Sequence, residues 1–280
     1  MTGRKSSPAD RAVTVALWVL AAAFLLPVVL VVVNSFKSRL YISGAPFALP
    51  NAETFVGWEN YRTGLSSSGF AAAFGRSVFI TVGSVLLIVV GCSMTAWYIA
   101  RAKCRWTKFL YYLFVFSMIV PFQMVMYTMT YVVGTLGLNT VPGIVLVYLG
   151  FGSGLAVFML TGFVRGIPLE IEEAATMDGC NPLQCFFRIV LPVLRPTAVT
   201  VAILNAMWVW NDYLLPYLVL GTDRKTVPVA IQMAMQGAYG ATDYGGLMAM
   251  LVLAIIPIIL FYLMGQKYII EGVVAGAVKG

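Results

Sequence analysis

The chain has 280 residues, 60% of them hydrophobic and only 10% charged, with a mean hydropathy of +0.90 and a formal net charge of +7. So little polar surface excludes a water-soluble globule of this size and specifies a polytopic, all-α membrane protein, because helices satisfy their own backbone hydrogen bonds as lipid requires. No basic stripe is interleaved with aromatic residues, so the positive charge does not point to nucleic acid.

A membrane span needs roughly 20 mostly apolar residues. Six windows qualify, at 12–34, 77–100, 109–131, 143–164, 196–217 and 246–265. The first follows a basic start, but Ala12 to Val33 is longer than the roughly 7–15 residues of a signal-peptide core, so it is read as a retained span. Six spans put both ends on one side. Setting that side in the cytoplasm gathers Arg4, Lys5 and Arg11, then Arg101, Lys103, Arg105 and Lys108, then Arg165, Arg188 and Arg195, and finally Lys267 and Lys279. This is the orientation the positive-inside tendency favours by about two to one, against Lys37, Arg39, Arg62 and Arg76 in the first outer segment. The expectation is a protein of the cell membrane with both termini cytoplasmic.

Residues 35–76 and 218–245 form two long outer segments, and the other connections are short. No repeat is visible, so residues 1–280 are expected to form one domain. Cys92, Cys104, Cys180 and Cys185 fall in spans or on the cytoplasmic side, where disulfides are rare, and are expected to be reduced. Four residues rather than two separate Cys180 from Cys185, and the chain has no His, so no metal site is expected.

The segment 165–195 between the fourth and fifth windows is the unusual one. Glu170, Glu172, Glu173 and Asp178 are four of only eleven acidic residues in the chain. Pro168 suits a first helical position, the glutamates favour the positive end of a helix dipole, and Asp178-Gly179 supplies a stop, predicting a helix over 168–177. Asn181-Pro182 then caps a second helix over 182–191, ending near Pro192, with Leu183, Phe186, Phe187 and Val190 as its apolar stripe. Ala174 and Ala175 form a small-residue patch that another backbone could approach. A capped elbow that merely packs on the spans accounts for the caps equally well, but not for the clustered acids.

Glu173-Ala174-Ala175, Gly179, and then, nine residues on, Ile189-Val190-Leu191-Pro192 resemble the E-A-A-x-x-x-G…I-x-L-P loop of ABC importer permeases at every fixed position. The resemblance implies that Glu173, Ala174, Ala175, Asp178, Gly179, Ile189, Leu191 and Pro192 form the coupling helix region, which docks in a groove of the ATP-binding subunit. The ending Ala275-Gly276-Ala277-Val278-Lys279-Gly280 and the stretch Trp210 to Pro216 are similar to MalG-type permeases of carbohydrate importers. For the tail 266–280 this implies that residues 275–280 insert between two ATPase subunits. For the outer segment it implies that the tip from Gln236 to Tyr244 reaches into a binding protein.

The chain has no phosphate-binding G-x-x-x-x-G-K-[ST] loop. The resemblance therefore implies that ATP and Mg are bound by a homodimeric partner ATPase, with no cofactor or enzymatic activity in this chain. It also implies a MalF-type second permease, an extracytoplasmic sugar-binding protein, and a carbohydrate substrate such as an oligosaccharide or glycoside. A glycerol-phosphate or polyol derivative is the alternative substrate.

Candidate path residues are Gln123, Asn205, Asn211 and Asp212, of which Asp212 is the one acidic residue assigned to a span. Amides can bond sugar hydroxyls, yet they also join helices to one another, and Asp212 beside Trp208, Trp210 and Tyr213 equally fits an interfacial aromatic belt. An ion-coupled transporter would call for repeats and several intramembrane charges. An intramembrane enzyme would call for paired acids, His or a metal cluster. Neither set is present in the sequence.

Overall fold

The computed structural model describes residues 8–67, 69–237 and 243–277, excluding the side chains of residues 8, 67 and 268–277. The described residues are helical apart from turns and one isolated bridge between Lys37 and Phe55. In chain order the helices are α1 (Pro8–Asn34), α2 (Arg39–Gly44), α3 (Glu59–Ser67), α4 (Phe70–Arg101), α5 (Arg105–Ile119), α6 (Phe122–Thr135), α7 (Val141–Val164) and α8 (Glu170–Met177). There follow α9 (Pro182–Cys185), a π-helical turn (Phe186–Val190), α10 (Leu191–Asn211), α11 (Leu214–Leu220), α12 (Val227–Met235) and α13 (Tyr244–Ala277).

Five helices are long and apolar enough to cross a bilayer: Ala9–Asn34, Phe70–Arg101, Val141–Val164, Pro182–Asn211 and Tyr244–Lys267. Counting α5 and α6 as one broken span makes six. The expected third window, 109–131, is therefore not a straight rod. Its two halves meet at 108°. Pro121 has no N–H to continue the helix and pushes the residue before it out of helical geometry, and Val120 is extended with ψ of 116°. A hydropathy window averages composition and cannot register that change of direction.

The expectation of a short helix ending near Pro192 is corrected in the opposite sense. Residues from Pro182 to Asn211 form one continuous helix, because a π turn precedes the proline. The Leu191 N–H bonds back to the Phe186 carbonyl, and this wider turn accommodates the ring that would clash in a regular helix. The expected window 196–217 is interrupted at Asp212, where the backbone becomes extended before α11 starts.

The chain forms two compact units. The first comprises the described residues up to Ala71 together with those of 231–256. Within it, the Lys37 ammonium is buried and donates to the carbonyls of Ala45 (2.7 Å) and Ala48 (2.9 Å), while the Asn60 amide donates to those of Ser35 and Lys37, each at 2.8 Å. Phe36 packs against Trp58 and Tyr61 with ring centroids 5.4 Å apart in both pairs.

The second unit comprises 72–230 and the described residues from Pro257 to Ala277. Its centre is α7, over half of whose apolar window (56%) is buried. One core cluster joins Ile80, Ile144, Tyr148, Val209 and Leu215. A second joins Ile88, Cys92, Val157, Leu160 and Val201, and a third joins Val164, Ala175, Phe186, Val190 and Leu194. Glycines allow close crossings on α7: a Cβ on Gly154 would lie 2.8 Å from the Phe114 carbonyl oxygen, and one on Gly152 would lie 2.7 Å from the Asn205 side-chain oxygen.

Candidate functional site

The hairpin of α8 and α9 is fixed at its turn by backbone chemistry. Gly179 has φ of +87°, its N–H bonds to the Thr176 carbonyl, and the Cys180 N–H bonds to the Ala175 carbonyl, each at 3.0 Å. This is a Schellman closure, in which the first residue past the helix takes a left-handed conformation that glycine adopts without strain. The next helix starts at once. Asn181 Oδ1 accepts from the Gln184 N–H (2.9 Å) and Gln184 Oε1 accepts from the Asn181 N–H (3.0 Å), a reciprocal capping box with Pro182 at the first helical position.

Adjacent residues on α8 project about 100° apart, so the glutamates divide. Glu172 is buried and Glu173 is exposed. The Glu172 carboxylate accepts from Trp97 Nε1 (2.8 Å) on one oxygen, and from Arg101 Nε (2.9 Å) and Nη2 (2.6 Å) on the other. Arg101 Nη2 also donates to the Ile167 carbonyl at 3.0 Å. The sequence names Arg101 only as one of the charges that set the orientation, and it does not point to Trp97. The available signal was their i, i+4 spacing at the end of an apolar span, which puts both on one helix face.

The alanine pair divides in the same way. Ala175 lies in the core and Ala174 is exposed, so only Ala174 can meet an approaching surface. Asp178 and Gly179 are exposed too. Around them lie unusually open apolar side chains, with Met177 at 89%, Leu183 at 58% and Leu169 at 47% exposure. A groove of about 560 Å³ runs beside α8, floored by Trp97, Glu172 and Cys185 and edged by Glu173 and Met177.

Only half of the expected stripe on the second helix faces inward. Phe186 and Val190 are fully buried, while Leu183 and Phe187 are each about half exposed. The π turn resets the register, so the buried series runs Phe186, Val190, Leu194. Ile189 and Leu191 are partly buried against the third core cluster, and Pro192 is exposed.

The four candidate path residues have separate surroundings. Asp212 is occupied on both oxygens: Oδ2 accepts from the Tyr148 hydroxyl (3.0 Å), and Oδ1 accepts from the N–H groups of Leu214 (3.0 Å) and Leu215 (3.3 Å) at the start of α11. Asn205 is buried and donates to the Val201 carbonyl of its own helix. Asn211 and Gln123 are exposed, Asn211 donating to the Met207 carbonyl and Gln123 standing in the first turn of α6.

The backbone of α13 continues through Ala277, so residues 266–277 are helical. Val278, Lys279 and Gly280 lie outside the described residues, as do the side chains of Ala275, Gly276 and Ala277 and most of the expected tip between Gln236 and Tyr244.

Residues 87–274 match the family described as binding-protein-dependent transport system inner membrane component, which is well over half of the chain. The chain belongs to this family. It is 37% identical over 93% of its length to the probable starch degradation products transport system permease protein AmyC of Thermoanaerobacterium thermosulfurigenes, covering 94% of that protein. It is 36% identical over 91% of its length to the multiple sugar-binding transport system permease protein MsmG of Streptococcus mutans, covering 92% of it. Against the trehalose transport system permease protein SugB of Mycobacterium tuberculosis, identity is 32% over 91% of the chain and 93% of the relative. The fold matches a chain of a bacterial ABC transporter involved in import of the acidic polysaccharide alginate, with a TM-score of 0.77 at 23% identity, covering 94% of this chain and 98% of that one. As a member of this family the chain is a multi-pass membrane permease and not an enzyme.

Proposed function

We propose that this chain is one permease subunit of an ATP-driven importer that carries an oligosaccharide or glycoside across the cell membrane. The observation that carries the reading is that relatives aligned over more than nine tenths of the chain are named as permeases for starch degradation products, multiple sugars and trehalose. A second permease, two copies of an ATP-binding subunit that hold ATP and Mg, and an extracytoplasmic binding protein complete the assembly. Both termini and the α8–α9 hairpin face the cytoplasm, and the positive-inside distribution of Lys and Arg supports that orientation.

On this reading the exposed side of the hairpin is the coupling surface. Glu173 and Asp178 supply charge, Ala174 permits close backbone approach, and Met177 and Leu183 offer apolar area whose desolvation favours docking. The buried residues of the same motif, Ala175 and Val190, act from beneath by holding that surface to the spans. Residues 275–280 are assigned to the ATPase dimer on the strength of the motif resemblance alone.

Co-purification tests the docking. The chain is co-expressed with a candidate ATP-binding subunit and second permease from the same source, and retention of the ATPase is compared for wild type, Glu173→Arg and Arg224→Glu. Arg224 is an exposed residue of the segment after α11 and serves as a control remote in sequence. Glu173→Arg is expected to lose the ATPase while still retaining the second permease. Equal retention by all three proteins would overturn the assignment.

A further inference from the structure

Beyond the docking surface itself, α8 is attached to α4 by a clamp that packing alone does not require. Trp97 and Arg101, one helical turn apart at the end of α4, between them occupy both oxygens of Glu172 at 2.6–2.9 Å. Arg101 also holds the Ile167 carbonyl that leads into α8, and the Trp97 ring lies 5.7 Å from that of Phe186 in the π turn. Thus one turn of α4 grips the segment before α8, α8 itself and the start of the following span.

Apolar contact already anchors the hairpin through Ala175, Cys185, Phe186 and Val190. Such contact is non-directional and allows one helix to slide or roll on another. Charge-assisted hydrogen bonds with fixed fork geometry remove that freedom, and the Arg101–Glu172 pair is shielded, with side chains 22% and 9% exposed. Glu172 also directly precedes the exposed Glu173, so a load applied to the outer side of α8 meets the clamp within one residue.

We infer that Trp97, Arg101 and Glu172 are positioning residues that make α8 and α4 move as one body, so that displacement of the hairpin is delivered along α4 instead of being lost in bending of the turn. This rests on the ATPase-docking role proposed for α8. A role in folding alone would move stability and assembly together, whereas a positioning role separates docking from the response of α4.

The test uses the full complex in nanodiscs, with ATP and orthovanadate as the probe. A nitroxide is attached at Ala72→Cys, an exposed site near the far end of α4, in a background lacking the native cysteines. ATPase retention and basal ATP hydrolysis report docking, and the nucleotide-dependent change in nitroxide line shape reports movement of α4. Glu172→Gln removes the charge, and Trp97→Phe removes the indole N–H while keeping a ring against Phe186. Both are expected to keep docking and basal hydrolysis within about twofold of the reference protein and to lose the nitroxide response. Arg101→Lys, which keeps a cation beside Glu172 but gives up the guanidinium fork that also holds the Ile167 carbonyl, is expected to weaken the response without abolishing it. A full response in Glu172→Gln and Trp97→Phe would overturn the inference. Loss of ATPase retention in both variants would also overturn it, by making the clamp a device for building the hairpin. Failure of the reference protein to retain an ATPase would instead refute the docking role proposed for α8 and, with it, this inference.

Discussion

Substitution at Gly179 separates backbone strain from steric bulk. A Cβ built at Gly179 meets nothing within 4 Å, so the space is open, but its φ of +87° lies where L-residues are strained. Holding an ordinary L-residue in left-handed geometry costs about 1–2 kcal/mol, and asparagine, whose side chain bonds locally, pays least. If only the ordered hairpin docks, a strain of that size lowers the docking-competent population by a factor of roughly 5–30 wherever the turn is only marginally stable. The expected order of ATPase affinity is therefore Gly179, then Asn, then Ala, then Val. Biolayer interferometry on nanodisc-embedded permease pairs measures it directly. Were bulk decisive, Ala would outperform the larger Asn. That result, or equal affinity for Gly179→Val, would refute the conformational argument.

Other outcomes follow from the same structure. Lys37→Met keeps most of the stem volume but leaves the Ala45 and Ala48 carbonyls without their donor, and is expected to lower stability by about 1–3 kcal/mol in detergent melts. Asp212→Ala removes the cap of α11 and is expected to cost about 0.5–2 kcal/mol, with Asp212→Asn closer to wild type because a side-chain oxygen can remain. Hydrogen bonding from Thr107, first through its backbone and then through its side chain, holds the exposed Cys104 thiol below its usual range. Its alkylation by iodoacetamide is thus expected to rise at lower pH than for an ordinary thiol, and Thr107→Ala should move the profile upward. For topology, Glu53→Cys should react with a membrane-impermeant maleimide in intact cells, and Cys104 only after permeabilisation. Reversal of that pattern would invert the proposed orientation.

The number of apolar segments and the caps of the hairpin were legible in the sequence because they depend on local features: hydropathy over about twenty residues, Asn181-Pro182, and Asp178-Gly179. What escaped was direction. Pro121 stood inside an apolar window, and the 108° turn it imposes is invisible to an average over composition. Pro192 reads as a stop next to a regular α-helix, whereas one π turn removes the conflict. In the candidate site the motif identified the segment but not its faces. Glu172 and Glu173 are alike in one dimension, and what distinguishes them is an arginine and a tryptophan more than 70 residues earlier in the chain. Asp212 likewise read as a lone charge because its partner, Tyr148, comes 64 residues before it.

Transport itself tests the central claim most directly. The chain is reconstituted into proteoliposomes with its second permease and ATP-binding subunit, and the binding protein is supplied outside together with a panel of radiolabelled di- and oligosaccharides. The account predicts uptake of at least one of them that requires ATP in the lumen, requires the binding protein, and disappears with Glu173→Arg. Uptake driven by an ion gradient without ATP, or ATP-driven uptake that persists undiminished in Glu173→Arg, would contradict it.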